Sequence, residues 1–332
     1  MNILYILDDF TLQSLKLEDN VNLIPASLSY HFLWGRKIDL LLVESAWIGN
    51  NQQWRHKIAR YTDHSDRNNE KLKKLIDWAK KKKIPTIFWN KEDPFHFDQF
   101  IDSAKIFDFV FTTDSNVIND YKLHLNHNNI YTLPFSFQPK IHYPSEFNHI
   151  KHKSSLFIGS YNKKMHENRR KWQNLCFESS SPYGLTIVNR NANIKDEQLK
   201  FPIYPNTVYT PNIPYLKTRD FYSNYQQSIN VNTITDSPTM FSRRLLEIMA
   251  CQRLVISNST LAIDHLFPNL CEIIEKEDEA DELFLQLSYG LSSKQEEKVR
   301  YACNQVFQKY TVKHWLKDIL IKSNIDHPYL YS

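Results

Sequence analysis

The sequence predicts an α/β protein with two doubly wound, Rossmann-like domains whose parallel sheets face a central cleft. Three observations lead there. Short apolar runs alternate with helix-period segments along the chain, the alternation restarts after a Pro-containing break near residue 145, and 332 residues suit two domains of roughly 100–200 residues each.

In the first half, Asn2–Leu7 and Ile38–Val43 are compact strand-like runs. Leu72, Leu75, Ile76 and Ala79 recur at i, i+3, i+4 and i+7, one face of a helix. Lys80–Lys83 close that helix, where cations suit the negative end of its dipole, and Pro85 lies just beyond. Ile84–Trp89, Ile106–Thr112 and Asn129–Leu133 read as further strands, with helical Phe97–Ala104 and Ser115–Leu125 between them. Strands alternating with helices imply right-handed crossovers and a parallel sheet. Residues 1–140 form this first domain, and 134–153, with Pro134, Pro139 and Pro144, read as a linker.

The second domain is expected over 154–310. Ser155–Gly159 is a strand, Met165–Phe177 a helix and Leu185–Val188 a strand, while 190–214 is Asn- and Pro-rich and irregular. Lys217–Gln226 reads as a helix, Ser228–Val231 as a strand, Phe241–Cys251 as a helix, and Leu254–Ser257 and Cys271–Ile274 as strands. Ser293–Tyr310 is helical, with Ser293 and Glu296 spaced as a capping box. Val312–Ile321, within a C-terminal segment 311–332, is the last helix.

Composition removes several function classes. The chain has five glycines, well under the roughly 7% that is usual. No G-x-G-x-x-G turn and no phosphate-binding G-x-x-x-x-G-K-[ST] loop exists. The four cysteines are scattered without C-x-x-C, so zinc ribbons, iron–sulfur frameworks and disulfide scaffolds are not expected. No H-E-x-x-H or Asp-x-Asp motif occurs, and no metal is expected. Apolar runs stay far below the roughly 18 residues of a membrane span. The N-terminus lacks a basic region before its apolar stretch and reads as a strand. A cytoplasmic location is expected, with any membrane contact peripheral, at the inner face. The formal net charge of +4 is mild, so nucleic acid is not an expected partner.

Ligands of open parallel sheets sit outside the C-terminal strand ends, so the loops there are the candidate sites. The stretch Ser228–Asn258 is the most informative. Its helix start near Ser237–Phe241, including Thr239 and Met240, offers backbone N–H groups and partial positive charge to an anion. Ser237 and Thr239 add hydroxyls. Arg243 and Arg244 add planar cations suited to phosphate. Glu247 shares their helix face, and a carboxylate there can accept both hydroxyls of a ribose; capping by Ser237 and an intrahelical pair of Glu247 with Arg243 are the plainer alternatives. After the first strand of this domain, Gly159 permits close approach, and Ser160 with Arg169 or Arg170 in the basic run Lys163–Lys171 can reach a diphosphate. In the first domain Glu44 and Trp47, then Glu92, Asp93 and His96, follow strands. A carboxylate with a histidine could take a proton from a hydroxyl, while a turn before Pro94 and packing of the aromatics are the structural alternatives.

Arg244, Glu247, Ala250 and Cys251 match the Arg-x-[hydrophobic]-Glu-x-[Met/Leu]-Ala-Cys pattern of glycosyltransferases grouped with the spore maturation protein CgeB, although Gln252 stands where the family commonly has Gly. Val43–Gly49, Trp89–Phe97, Phe107–Asp114 and Leu133-Pro-Phe also resemble that group, the similarity spanning roughly 38–325. The resemblance implies a GT-B fold, with the nucleotide-sugar donor, a UDP-sugar, in the second domain and a glycan or lipid-linked glycan acceptor in the first. It implies the 311–332 helix packing back toward the first domain, and a role in bacterial surface polysaccharide or glycoconjugate synthesis. Glu247 takes the place of the second Glu of the family's Glu-x7-Glu motif, and Thr239 stands where the first would be. No cofactor beyond the nucleotide-sugar co-substrate is expected, and retention or inversion stays open. Two other readings stay open: a nucleotide-sugar-binding protein without turnover, and a nucleic-acid-directed glycosyltransferase.

Overall fold

The computed structural model describes residues 1–29 and 35–332. They divide into two compact units, Met1–Gln138 with Val312–Ser332, and Pro139–Thr311.

The first unit runs β1 (Asn2–Ile6), α1 (Asp9–Leu15), β2 (Asn22–Pro25), β3 (Leu40–Glu44), α2 (Glu70–Lys81), β4 (Thr86–Asn90), α3 (Phe97–Ala104), β5 (Phe109–Thr112), α4 (Ile118–His124) and β6 (Ile130–Thr132). The strands pair in parallel in the order β2-β1-β3-β4-β5-β6. Successive side chains of a strand point to opposite faces. Leu4, Ile6, Leu41, Val43 and Phe88 therefore pack with Leu72, Leu75, Ile76 and Ala79 of α2 on one face. Ile3, Tyr5, Leu40, Leu42, Ile87 and Trp89 cover the other with Leu12 and Leu15 of α1. The second unit runs β7 (His152–Gly159), α5 (Glu167–Ser180), β8 (Leu185–Asn189), β9 (Thr207–Thr210), α6 (Thr218–Asn224), β10 (Tyr225–Ile229), α7 (Arg243–Ala250), β11 (Leu254–Ser257), α8 (Leu261–Leu266), β12 (Glu272–Ile273), α9 (Glu277–Tyr289) and α10 (Ser293–Lys309). α11 (Val312–Lys322) follows and belongs to the first unit, where Trp315, Leu316, Ile319 and Leu320 complete the face under Ile87 and Trp89. Because helices cover both faces of the first sheet, its strands are unbroken apolar runs in the sequence.

The second sheet is also parallel, in the order β12-β11-β10-β7-β8-β9. Its order reverses between β7 and β10, the kind of crevice where open α/β sheets bind ligands. In the first sheet the corresponding reversal lies between β1 and β3.

Several elements differ from the sequence reading, each for a physical reason. β10 starts at Tyr225, in residues read as helix, because its polar side chains are satisfied internally: Gln226 donates to the Leu287 carbonyl at 3.0 Å and Gln227 to that of Lys153 at 2.8 Å. β9 lies inside the stretch read as irregular. Residues 139–153 form no free linker. The buried guanidinium of Arg253 donates to the carbonyls of Ser145 (2.7 Å) and Glu146 (3.2 Å), tying the segment to the second unit. The capping box of α10 is Ser292 with Gln295, one residue before the expected pair. Gln252, just past α7, takes a left-handed φ of 59°, so the backbone makes the turn that glycine favours without one. Among the described residues no helix is long and apolar enough to cross a membrane.

Candidate functional site

The crevice at the β7/β10 reversal is lined with arginine. Arg244, at the second position of α7, is 6% exposed, with its guanidinium carbon 4.9 Å from the centre of the Phe157 ring. Its Nε and one terminal nitrogen are shut from solvent and meet no acceptor. The strand end makes room for it: a Cβ on Gly159 would stand 2.9 Å from the other terminal nitrogen and 2.5 Å from Phe157 Cζ. Arg169, on α5, reaches the same place, donating to Thr233 Oγ1 at 3.1 Å and the Ser160 carbonyl at 3.4 Å, and its Nε has no partner. Arg190 follows β8, its backbone N–H on the Gly159 carbonyl at 2.9 Å. Burial, reinforced by Arg190, lowers the pKa of Arg169 and brings that of Arg244 down to about 10. Like charges have thus been gathered in a desolvated crevice, an arrangement that costs energy unless an anion joins it.

Glu247 stands one turn further along α7 and is 2% exposed. It acts electrostatically on Arg244 and on Tyr222, whose buried hydroxyl also lacks a partner. The structure therefore groups Gly159, Ser160, Arg169, Arg244 and Glu247. It also separates the two arginines that sequence left open: Arg170 turns outward to the Lys163 carbonyl while Arg169 faces the crevice. The loop before α7 corrects an expectation. The helix begins at Arg243, with Ser242 as its N-cap, and the Ser237 hydroxyl accepts the N–H groups of Thr239 (3.3 Å) and Met240 (3.0 Å). Ser237, Thr239 and Met240 close a local turn, so those two N–H groups are already engaged. Arg243 opens the helix, partly exposed.

The first-unit candidates fall into two environments. Asp93 is 1% exposed. One oxygen accepts from Asn90 Nδ2 at 2.7 Å, the other from Thr112 Oγ1 at 2.6 Å and Tyr121 OH at 2.9 Å. Burial outweighs those bonds and raises its pKa to about 7. Glu44 is wholly buried at the end of β3, one oxygen accepting the Asp8 N–H at 2.5 Å and Lys91 Nζ at 3.1 Å. Both carboxylates follow strands as expected but are enclosed by the protein rather than open to a ligand from solvent. Glu92 and His96 are partly exposed, and the His96 ring meets Trp47 edge-on at 5.0 Å.

Sequence reading missed Asp8, Lys91, Arg190 and Tyr222. Lys91 lies 3.1 Å from both Asp8 and Glu44, and Asp8 also accepts the N–H groups of Trp47, Ile48 and Gly49. These charges share the β1/β3 reversal, a grouping made by topology alone. Arg190 had a signal, its place directly after a strand; Tyr222, inside a helix, had none.

Residues 184–321 match the family described as glycosyl transferase-like. The spore protein CgeB of Bacillus subtilis (strain 168) is 24% identical over 187 residues, covering 53% of this chain and 57% of that protein, so the match spans little more than half of that relative. Among solved structures, an alpha-glucosyltransferase in complex with UDP-glucose and DNA superposes with a TM-score of 0.63 at 12% identity, over 91% of this chain and 85% of its own. Anabaena HepE in complex with UDP and glucose gives 0.56 at 10%, over 97% and 91%. A DNA-modifying beta-glucosyltransferase gives 0.61 at 11%, over 98% and 100%. The resemblance to the CgeB-like group holds, and the fold is GT-B.

Proposed function

From a chain that has the GT-B fold and a glycosyl transferase-like segment over 184–321, we propose a glycosyltransferase that moves a sugar from a nucleotide diphosphate sugar, a UDP-sugar, to a hydroxyl acceptor. The observation that carries this reading is the desolvated arginine group at the β7/β10 reversal, with unpartnered nitrogens on Arg169 and Arg244. A diphosphate supplies the missing anion. Glu247 then accepts the two ribose hydroxyls.

Transfer breaks the bond between the anomeric carbon and the diphosphate oxygen, and negative charge builds on the leaving group. Preorganised cations in a site of low dielectric stabilise that charge. In this reading Arg169, Arg190 and Arg244 do so, and no step is assigned to a metal. The acceptor is read as a glycan hydroxyl in polysaccharide or glycoconjugate assembly. In the basic run 163–171, Arg169 faces inward, Arg170 donates to the Lys163 carbonyl and Lys171 pairs with Glu167 at 2.8 Å, while Lys163 and Lys164 are exposed.

Titration calorimetry with UDP and 2′-deoxy-UDP tests the reading. The native chain should prefer UDP, and Glu247→Ala should lose roughly 1–3 kcal/mol of UDP binding, and with it that preference. A folded variant with unchanged affinity and discrimination rules out the ribose role.

A further inference from the structure

Positive charge is concentrated in one stretch of the first unit. Residues 55–83 hold eleven lysines and arginines against four acidic residues, a net charge of +7, whereas the whole chain carries +4. The remainder of the chain is therefore net acidic.

α2 carries most of this charge. Its inward side, Leu72, Leu75, Ile76 and Ala79, is buried in the core of the unit. At about 3.6 residues per turn, the outward side is left to Lys71, Lys73, Lys74, Lys80 and Lys81, with Glu70 and Asp77 as its acids. Lys82 and Lys83 follow the last turn, and all seven lysines are exposed. Lys73 pairs with Glu70 at 3.0 Å and Lys80 with Asp108 at 3.3 Å. Helix-end electrostatics accounts for Lys80–Lys83, which stand at the negative end of the dipole. It does not account for Lys71, Lys73 and Lys74, which stand in the first turns, where the dipole favours acids. The lysine row thus runs the length of the helix, about 18 Å.

Such a row attracts an anionic surface, and its composition favours one kind. Planar arginine forks suit phosphates and base edges, but Arg60 and Arg67 of the preceding loop are engaged within the unit. Arg60 pairs with Asp102 at 3.4 Å, and Arg67 lies over the Tyr61 ring at 5.4 Å. Trp78, the one aromatic of α2, packs against the core and gives bases no stacking platform. The row itself is compact ammonium groups on flexible stems, suited to the diffuse negative potential of a fluid lipid surface. The leucines, isoleucine and alanine of α2 are all buried, so contact is by charge, without insertion. We propose that the outward face of α2 docks this protein on bilayers that contain anionic phospholipid. The docking role is independent of the transferase reading.

Co-sedimentation of the full chain with vesicles tests this, using phosphatidylcholine alone and phosphatidylcholine mixed with phosphatidylglycerol. The native chain should sediment with the mixed vesicles at about 0.1 M salt and not with phosphatidylcholine alone. It should be released at about 1 M salt, where the screening length falls to about 3 Å. Lys71→Gln, Lys74→Gln, Lys81→Gln and Lys83→Gln together should weaken partitioning roughly tenfold or more. Lys195→Gln, Lys294→Gln, Lys309→Gln and Lys313→Gln together remove the same charge from other exposed positions and should cost much less. Far-ultraviolet dichroism checks that both variants are folded, and the vesicle and salt comparisons on the native chain need no variant. No binding to the mixed vesicles, equal binding to both kinds, binding that survives about 1 M salt, or equal loss in the two variants overturns the proposal. So does displacement from the mixed vesicles by duplex DNA at equal phosphate concentration, which would make the face a nucleic-acid surface.

Discussion

Two nitrogens of Arg244 meet no acceptor although the side chain is 6% exposed, a cost that the diphosphate of the proposed donor would offset. Arg244→Met keeps most of the volume and the contact with Phe157 while removing the charge. The ligand-free variant should be at least as stable as the native chain. Its affinity for UDP should fall by roughly 1.5–3 kcal/mol, about 10–100-fold. Chemical denaturation with and without UDP checks both halves, and a strongly destabilised ligand-free variant would show that the charge is structural. Asp93 is the opposite case, a carboxyl whose partners lie inside its own unit. Burial lifts its folded-state pKa from 3.8 to about 7, so the folded chain holds the proton more tightly than the unfolded one. Its contribution to stability is full below about pH 4 and is lost as pH rises through about 7. Stability measured by urea unfolding should decline across that window in the native chain, and Asp93→Asn should flatten the decline.

At the scale of elements, the crevice depends on how closely α7 approaches the end of β7. The backbone at Gly159 has no left-handed requirement, so the constraint is space alone: the missing Cβ is where Arg244 and Phe157 lie. Gly159→Ala should displace the Arg244 guanidinium and cost about tenfold or more in UDP affinity. Its effect on Arg244→Met should be much smaller, because the group it displaces is gone; additive effects in that double-mutant cycle would refute the mechanism. The turn after α7 shows the same dominance of context. Gln252 sits in a left-handed conformation, a cost of roughly 1–2 kcal/mol for a residue with a Cβ. The packing of α7 and the Arg253 anchor behind it hold the turn regardless.

At the scale of the whole molecule, the first unit is discontinuous in sequence. Trp315, Leu316, Ile319 and Leu320 of α11 cover a sheet face formed by residues from the chain's beginning. A chain ending at Thr311 would leave Leu40, Leu42, Ile87 and Trp89 facing water, at about 25 cal/mol per Å² of apolar surface. We expect it to lose cooperative unfolding of the first unit and to bind the hydrophobic dye ANS; adding back residues 312–332 in trans should reverse part of this. A truncated chain with native near-ultraviolet dichroism would show that α11 is dispensable.

The alternation of apolar runs and helix-period segments was enough to determine two parallel sheets, because strands covered on both faces must be apolar throughout and covering helices must be apolar on one side. It was enough for Gly159, Arg169, Arg244 and Glu247 as candidates, since their types and places after strands are local facts. It did not place β10, where buried Gln226 and Gln227 find their acceptors only in Leu287 and Lys153, nor Arg190 and Tyr222 beside Arg244. The choice between Arg169 and Arg170, adjacent in the chain, came from which one the helix turns toward Thr233. Whether a carboxylate such as Asp93 or Glu44 is exposed or enclosed depends on Tyr121, Thr112, Lys91 and Asp8 arriving from other strands and helices. A residue's type is written in the chain, but its solvent and its partners are set by segments far away in sequence, and those only the tertiary structure brings together.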